Sequence, residues 1–410
     1  MQRTALKNYA KLLARTGLNV QKGQEVIIAA EADKEDFVAL VAEECYRAGA
    51  ASVRAEWGYQ PLRRLAALNE SETVLGNVAA WEEEKLRCET RTLPARLYLE
   101  SEDPGGMAGI DAAKYARALA MRSQIIKPYR DRMENRYQWC IAAVPGREWA
   151  KKVFPRVPAS AAEEKLWLAI LRCARALEGS PVANWQAHNA RLAARCEKLN
   201  ALGLAALEYE AGNGTRLRVG LLADGLFLGG EEETLAGVKF NPNIPSEEVY
   251  TTPMRGAAEG IVYSTKPLSY RGQLIRNFSL RFEGGRVVEA HAAAGEAVLK
   301  RILGMDEGAA YLGECALVPY DSPVSNTGAL FYNTLFDENA SCHLALGRGF
   351  NNCVAGWEGY SFEEIKEKGV NDSSVHVDFM IGTDDLRITG VTKDGRRIPV
   401  FENGNWSEQF

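Results

Sequence analysis

Along the first half of the chain, short apolar runs alternate with amphipathic stretches of helical period. Apolar residues fall at helical spacing from Leu6 to Leu13 and stop near Gly17. Glu25 to Ala30 is a short apolar run rich in β-branched residues, and Lys34 to Ala48 predicts a helix with Phe37, Val38, Val41 and Cys45 on its buried face. Gly49 stops that helix and Ser52 to Trp57 returns as a strand. This is a βαβ unit, and it predicts a parallel sheet. The rhythm continues with helices near Val78 to Cys88 and Ala112 to Lys127, and strands near Arg96 to Glu100 and Tyr137 to Ala143. Two more helical patterns, Ser160 to Leu177 and Trp185 to Leu199, carry the chain across to a different kind of sequence.

After Asn200 the period shortens to two. Asn213-Gly214, Gly284-Gly285 and Asp394-Gly395 each sit between alternating segments and predict antiparallel hairpins. The pattern as a whole predicts an α/β N-terminal domain with a mostly parallel sheet over residues 1–190, then a β-rich (α+β) C-terminal domain over 191–410. The turn after the first strand, Ala30-Glu31-Ala32-Asp33, is acidic and lacks glycine, so it does not cradle a phosphate.

Composition narrows the reading. With 410 residues, 46% of them apolar, the chain supports a large core and is neither disordered nor fibrous. A net charge of −5 with both signs interspersed leaves no basic stripe, which argues against nucleic acid as a partner. No apolar run reaches the roughly 18 residues of a membrane span, and no hydrophobic signal core follows Met1, so a cytoplasmic protein is expected. The eight cysteines lack close pairs and read as free core thiols. Cys315 and Cys342 adjoin candidate site residues, but neighbours on a strand face opposite ways, which weakens a thiolate site.

The candidate chemistry lies in the second half. Ser374 to Ile381 alternates so that His376 and Asp378 share one face and Val375, Val377 and Phe379 the other. That pair reads equally as a buried hydrogen-bonded couple or as metal ligands. Glu338 and His343 are five apart, about 140° on a helix, and converge only if Asn339 to Cys342 forms a turn. Glu314 is the one charge in Leu312 to Pro319 and needs either an arginine or a cation. Glu247 and Glu248 point opposite ways on an extended piece between Pro245 and Pro253, so at most one faces inward, and a solvated pair is the plainer alternative. His188, on a charged helix, reads as solvated surface, and His291 as surface or core. Together Glu248, Glu314, His343, His376 and Asp378 form a carboxylate-rich set with imidazole. Such a set suits zinc, cobalt or manganese, and its excess of acid favours two cations sharing a bridging carboxylate. That is the chemistry of peptide or ester hydrolysis.

At these residues the chain resembles the thermophilic-aminopeptidase family of metallopeptidases, the aminopeptidases T, S and II. The likeness covers Gly17 to Gln24, Asn243 to Pro253, Gly313 to Pro323, Phe331 to Gly347 and Gly369 to Gly382, and is most distinctive in Asn333-Thr334-Leu335-Phe336-Asp337-Glu338-Asn339-Ala340. The resemblance implies a C-terminal catalytic domain, homodimers enclosing a shared chamber, peptide substrates and release of N-terminal amino acids with broad side-chain tolerance. It implies metal ligands at Glu248, Glu314, His343, His376 and Asp378, with Glu314 as the bridge and Glu338 as a further ligand or acid–base group. Glu338 and Glu248 would carry the proton transfers. One position departs from the family: Gly347-Arg348-Gly349-Phe350 ends on phenylalanine where the family usually has tyrosine. That substitution raises the alternative of a catalytically impaired homologue with a structural role. A further alternative is a mononuclear non-haem iron, ring-cleaving dioxygenase built on His343, His376 and Asp378.

Overall fold

The computed structural model describes residues 3–270 and 273–410. The chain forms two compact units, residues 1–187 with 231–245, and residues 188–230 with 246–410.

The first unit is built on five parallel strands in the order Ser52–Gly58, Glu25–Glu31, Ala95–Glu100, Trp139–Ala143, Asn243–Ile244. The helix Glu35–Ala48 buries Phe37, Val38, Val41 and Cys45, the face its spacing predicts. Burying each such side chain contributes about 1.5–3 kcal/mol. Gly49 ends the helix at φ 109°, a conformation in which a Cβ would be strained. At the carboxyl end of Glu25–Glu31, where α/β folds bind phosphates, the Glu31 carboxylate accepts the Gln60 N–H at 2.7 Å and pairs with Arg63 at 2.7 Å. An acid fills the position an anion would need, in keeping with the glycine-free turn. Gln60 opens a helix, Gln60–Asn69.

The second unit holds a nine-stranded and a four-stranded antiparallel sheet. All three hairpin signals fall at turns, between Leu204–Glu210 and Arg216–Leu221, Gln273–Glu283 and Arg286–Ala294, and Arg387–Thr392 and Arg397–Glu402. One continuous core joins the two sheets: Leu207, Val219, Phe278, Leu280 and Ile388 come from the large sheet, and Leu317, Leu344, Val377 and Phe379 from the small one. No helix among the described residues is long and apolar enough to cross a membrane.

Candidate metal centre

The small sheet runs in the order Val249–Thr251, Leu312–Leu317, His343–Gly347, His376–Met380. Its register sets Glu314 opposite Ala345 and Ala345 opposite Asp378; His343 stands between Ala316 and Met380, and His376 faces Gly347. Paired residues share a face and successive residues alternate. Glu314, His343, His376 and Asp378 therefore all face one way. Tyr250 pairs with Ala316 on that face, and Glu248, two residues earlier, has the same parity. The other face carries Val249, Cys315, Leu317, Leu344, Leu346, Val377 and Phe379, all in the core. Cys315 thus points away from the acids, as strand alternation requires, and the thiolate alternative fails on geometry.

Between the polar groups the site face carries Ala316, Ala345 and Gly347, which leave the ground between the acids free of bulk. Gly347 has φ 103°, and a Cβ there would lie 2.1 Å from the Val375 carbonyl oxygen. Glycine is what lets the His343 and His376 strands close up at that point.

Ligand atoms of Glu248, Glu314 and His343 lie within 4.8 Å of one another, and so do those of Glu314, His376 and Asp378. Glu314 belongs to both groups. Glu338 ends the five-residue helix Thr334–Glu338, which packs on the His376 strand; a turn through 339–341 then brings the chain to His343. That turn is the condition on which the two could act together. Glu338 falls in neither close group, yet its carboxyl is within electrostatic reach of Asp378, Glu248, His343 and Glu314.

The histidines are oriented from behind. His376 Nδ1 lies 2.7 Å from the Arg348 carbonyl oxygen and His343 Nδ1 lies 3.2 Å from that of Ser341. A carbonyl only accepts, so each Nδ1 donates a proton and each Nε2 is left facing acids. His343 Nε2 is 3.4 Å from Glu248 Oε2; His376 Nε2 is 3.0 Å from Glu314 Oε2 and 3.2 Å from Asp378 Oδ1. A lone pair cannot face a carboxylate at that range without a cation between them. Asp378 Oδ1 is buried and accepts no aligned hydrogen bond despite its proximity to His376. Among the described residues no lysine or arginine meets Glu314; its ion-pair partner is His376.

Without a metal, protons supply the missing cation. Burial pulls His343 down, but Glu248, Glu314 and Asp378 drive it up to about 10. His376 is likewise raised well above the ordinary imidazole range, burial being outweighed by Asp378 and Glu314. Asp378 lies below the usual carboxylate range, since His376 more than offsets its burial. Burial raises Glu314, and burial followed by the neighbouring acids raises Glu338 well above the ordinary value. Nitrogen and oxygen donors, imidazoles held by their far nitrogens and an excess of acid are the donor set of a divalent cation site.

Two sequence readings are corrected here. Glu247 and Glu248 are both buried, at 4% and 8% exposure, rather than a solvated pair. The two carboxylates find different partners, Glu247 lying 3.8 Å from His188 and Glu248 beside His343. His188 is 3% exposed rather than solvated, with Nε2 2.7 Å from the Ser246 carbonyl oxygen. Helical spacing gave no sign of this, because its partner is 58 residues further along the chain. His291 is exposed, within the sequence expectation. Phe350 lies beside the centre, its ring centroid 5.0 Å from the tilted His376 imidazole and 5.4 Å from Tyr250 in an edge-on contact, while Tyr360 takes Lys368 over its ring at 4.3 Å.

The chain as a whole matches known relatives. Over 403 residues the chain is 39% identical to Aminopeptidase AmpS of Bacillus subtilis strain 168, covering 98% of both, and 40% identical to Aminopeptidase 2 of Geobacillus stearothermophilus, covering 98% of this chain and 97% of the relative. The solved structure of wild-type AmpT from Thermus thermophilus superposes with a TM-score of 0.90 at 39% identity, covering 98% of both chains. A 2,5-dihydroxypyridine dioxygenase from Pseudomonas putida KT2440 superposes at a TM-score of 0.53 with 11% identity, covering 99% of this chain and 96% of that one, a likeness of fold alone. Residues 2–406 match the thermophilic metalloprotease family, M29. On that match and these full-length identities, the chain belongs to the M29 thermophilic metalloproteases.

Proposed function

We propose that the protein is a metal-dependent aminopeptidase that releases N-terminal residues from peptides. In this reading two divalent cations, zinc, cobalt or manganese, are held by Glu248, Glu314, His343, His376 and Asp378, with Glu314 shared. The observation that carries it is the pair of ligand groups meeting at Glu314 on one sheet face. When bound, such cations supply Lewis acidity and a water acidic enough to give hydroxide near neutral pH.

The remaining roles fall to the chain's own groups. The Glu338 carboxyl, beside both ligand groups and a member of neither, suits an acid–base shuttle that takes the proton of the attacking water and passes it to the leaving amine; an oxygen of Glu248 is the other candidate. A carboxylate of this face left free by the cations would receive a substrate's α-amine. Recognition of that group would make the enzyme an exopeptidase. Eight free thiols suit a cytoplasmic protein. Leu62, Leu65 and Leu68, all exposed at three-residue spacing on one helix, suit a homodimer.

Exhaustive chelation followed by metal add-back, read with leucine and arginine anilides, tests the reading. Activity should vanish and return; activity that survives chelation overturns it. Phe350 beside His376 favours a second reading, a homologue weak in catalysis, which a metal-loaded protein inert to a broad peptide panel would support.

A further inference from the structure

Glu314, His343, His376 and Asp378 sit in strands, where the ladder fixes them. Glu248 and Glu338 do not: one precedes its strand and the other ends a short helix. Something else must hold these two carboxylates in register.

The peptide unit joining Ser246 to Glu247 is held at both ends by buried side chains. Its carbonyl oxygen accepts from His188 Nε2 at 2.7 Å, and its N–H donates to Asn339 Oδ1 at 2.6 Å. His188 is 3% exposed and Asn339 is fully buried. The imidazole proton goes to the carbonyl at 2.7 Å, because the Glu247 carboxylate, at 3.8 Å, is beyond hydrogen-bond reach. Asn339 directly follows Glu338. Its Nδ2 donates to the Leu335 carbonyl oxygen at 2.8 Å, closing the short helix, and its own carbonyl accepts from Ser322 Oγ at 3.0 Å. One amide therefore joins the two segments whose carboxylates the sheet does not fix.

We infer that His188 and Asn339 are positioning residues that clamp the 246–247 peptide, aiming the Glu248 carboxylate at His343 and fixing its place relative to Glu338. The inference rests on the metal-site reading above. The clamp acts on the backbone, one residue from the ligand, so it sets direction without touching the metal. Support of this kind around a metal site typically changes affinity or rate by about 10–100-fold.

The test uses the full-length protein, with Co²⁺ affinity and visible spectrum as readouts beside kcat and KM on a peptide anilide. His188→Leu removes the donor to the carbonyl and His188→Gln restores one; Asn339→Ala removes both amide bonds and Asn339→Asp keeps the acceptor. The leucine and alanine variants should bind Co²⁺ about 10–100-fold more weakly, shift its spectrum and lower kcat more than they raise KM. The glutamine variant should recover most of the loss, and the aspartate variant part of it. In a Glu248→Gln background the same changes should cost less than about twofold, because the group they aim is gone.

Variants that merely melt earlier, with parental Co²⁺ affinity and spectrum, would overturn the clamp. So would losses equally large in the Glu248→Gln background. If either disruptive variant fails to fold, the glutamine and aspartate variants carry the same comparison. A Glu248→Gln protein that binds Co²⁺ like its parent would instead overturn the site reading, and the clamp with it.

Discussion

Glu314→Gln separates a metal ligand from a buried ion pair. The substitution keeps the side-chain shape and removes one charge from the point where the two ligand groups meet. In the cation-free protein four acids, Glu248, Glu314, Glu338 and Asp378, crowd against two imidazoles, and burial holds both Glu314 and Glu338 above the ordinary carboxylate value. Burial already penalises a charge on Glu314 and the neighbouring acids repel it, so a neutral amide there relieves both. The melting midpoint in chelator should hold or rise.

With metal the sign reverses. A ligand at 1,000 times its Kd stabilises a protein by about 4.1 kcal/mol, and a 100-fold weaker site forfeits about 2.7 kcal/mol of this. The unit that contains the site has about 200 residues, for which each kcal/mol moves the midpoint by about 2–4 °C. The metal-induced rise should therefore shrink by about 5–11 °C. If Glu314 were only a partner for His376, breaking the pair would cost about 3–5 kcal/mol with or without metal. Differential scanning calorimetry in chelator and at matched metal concentration distinguishes the two. A large fall in chelator, with the metal-induced rise intact, would show that Glu314 is an ion-pair partner and no ligand.

The raised His343 pKa has a signed consequence. Its folded value of about 10 exceeds the ordinary 6.5, so in chelator its contribution is fully present below pH 6.5 and is lost as pH rises towards 10. Metal uptake must displace that proton, so affinity should tighten over the same window, with proton release visible by titration calorimetry in buffers of different ionisation enthalpy. Phe350→Tyr places a hydroxyl beside His376; since losing one oxyanion donor costs about 10²–10³ in rate, kcat should rise about tenfold or more with KM little changed, and an unchanged kcat would mean that Phe350 does not limit catalysis.

Much of the centre was legible in the sequence because it is carried by strands. Alternation placed His376 and Asp378 on one face and Val375, Val377 and Phe379 on the other, and a lone acid in an apolar run marked Glu314. The βαβ rhythm gave the parallel sheet for the same reason: the period of each element reports its buried face. What escaped lies outside periodic structure. His188 looks like any polar residue on a charged helix until its turn brings it to a carbonyl 58 residues away. For Glu247 and Glu248 a solvated pair was the plainer reading, because a two-residue acidic run carries no record of what folds over it; Glu248 joined the candidate set only beside the other acids and histidines of the same half. Asn339 lay inside a distinctive run, yet only coordinates join its two amide atoms to separate segments.

Anomalous scattering at the zinc edge, from crystals grown with zinc, would count the cations and name their ligands. Two peaks are expected, one beside Glu248 and His343, the other beside His376 and Asp378, each about 2.0–2.2 Å from a Glu314 oxygen. A single peak bound by His343, His376 and Asp378 with Glu314 uninvolved, or no peak at all, would contradict a two-cation site shared at Glu314.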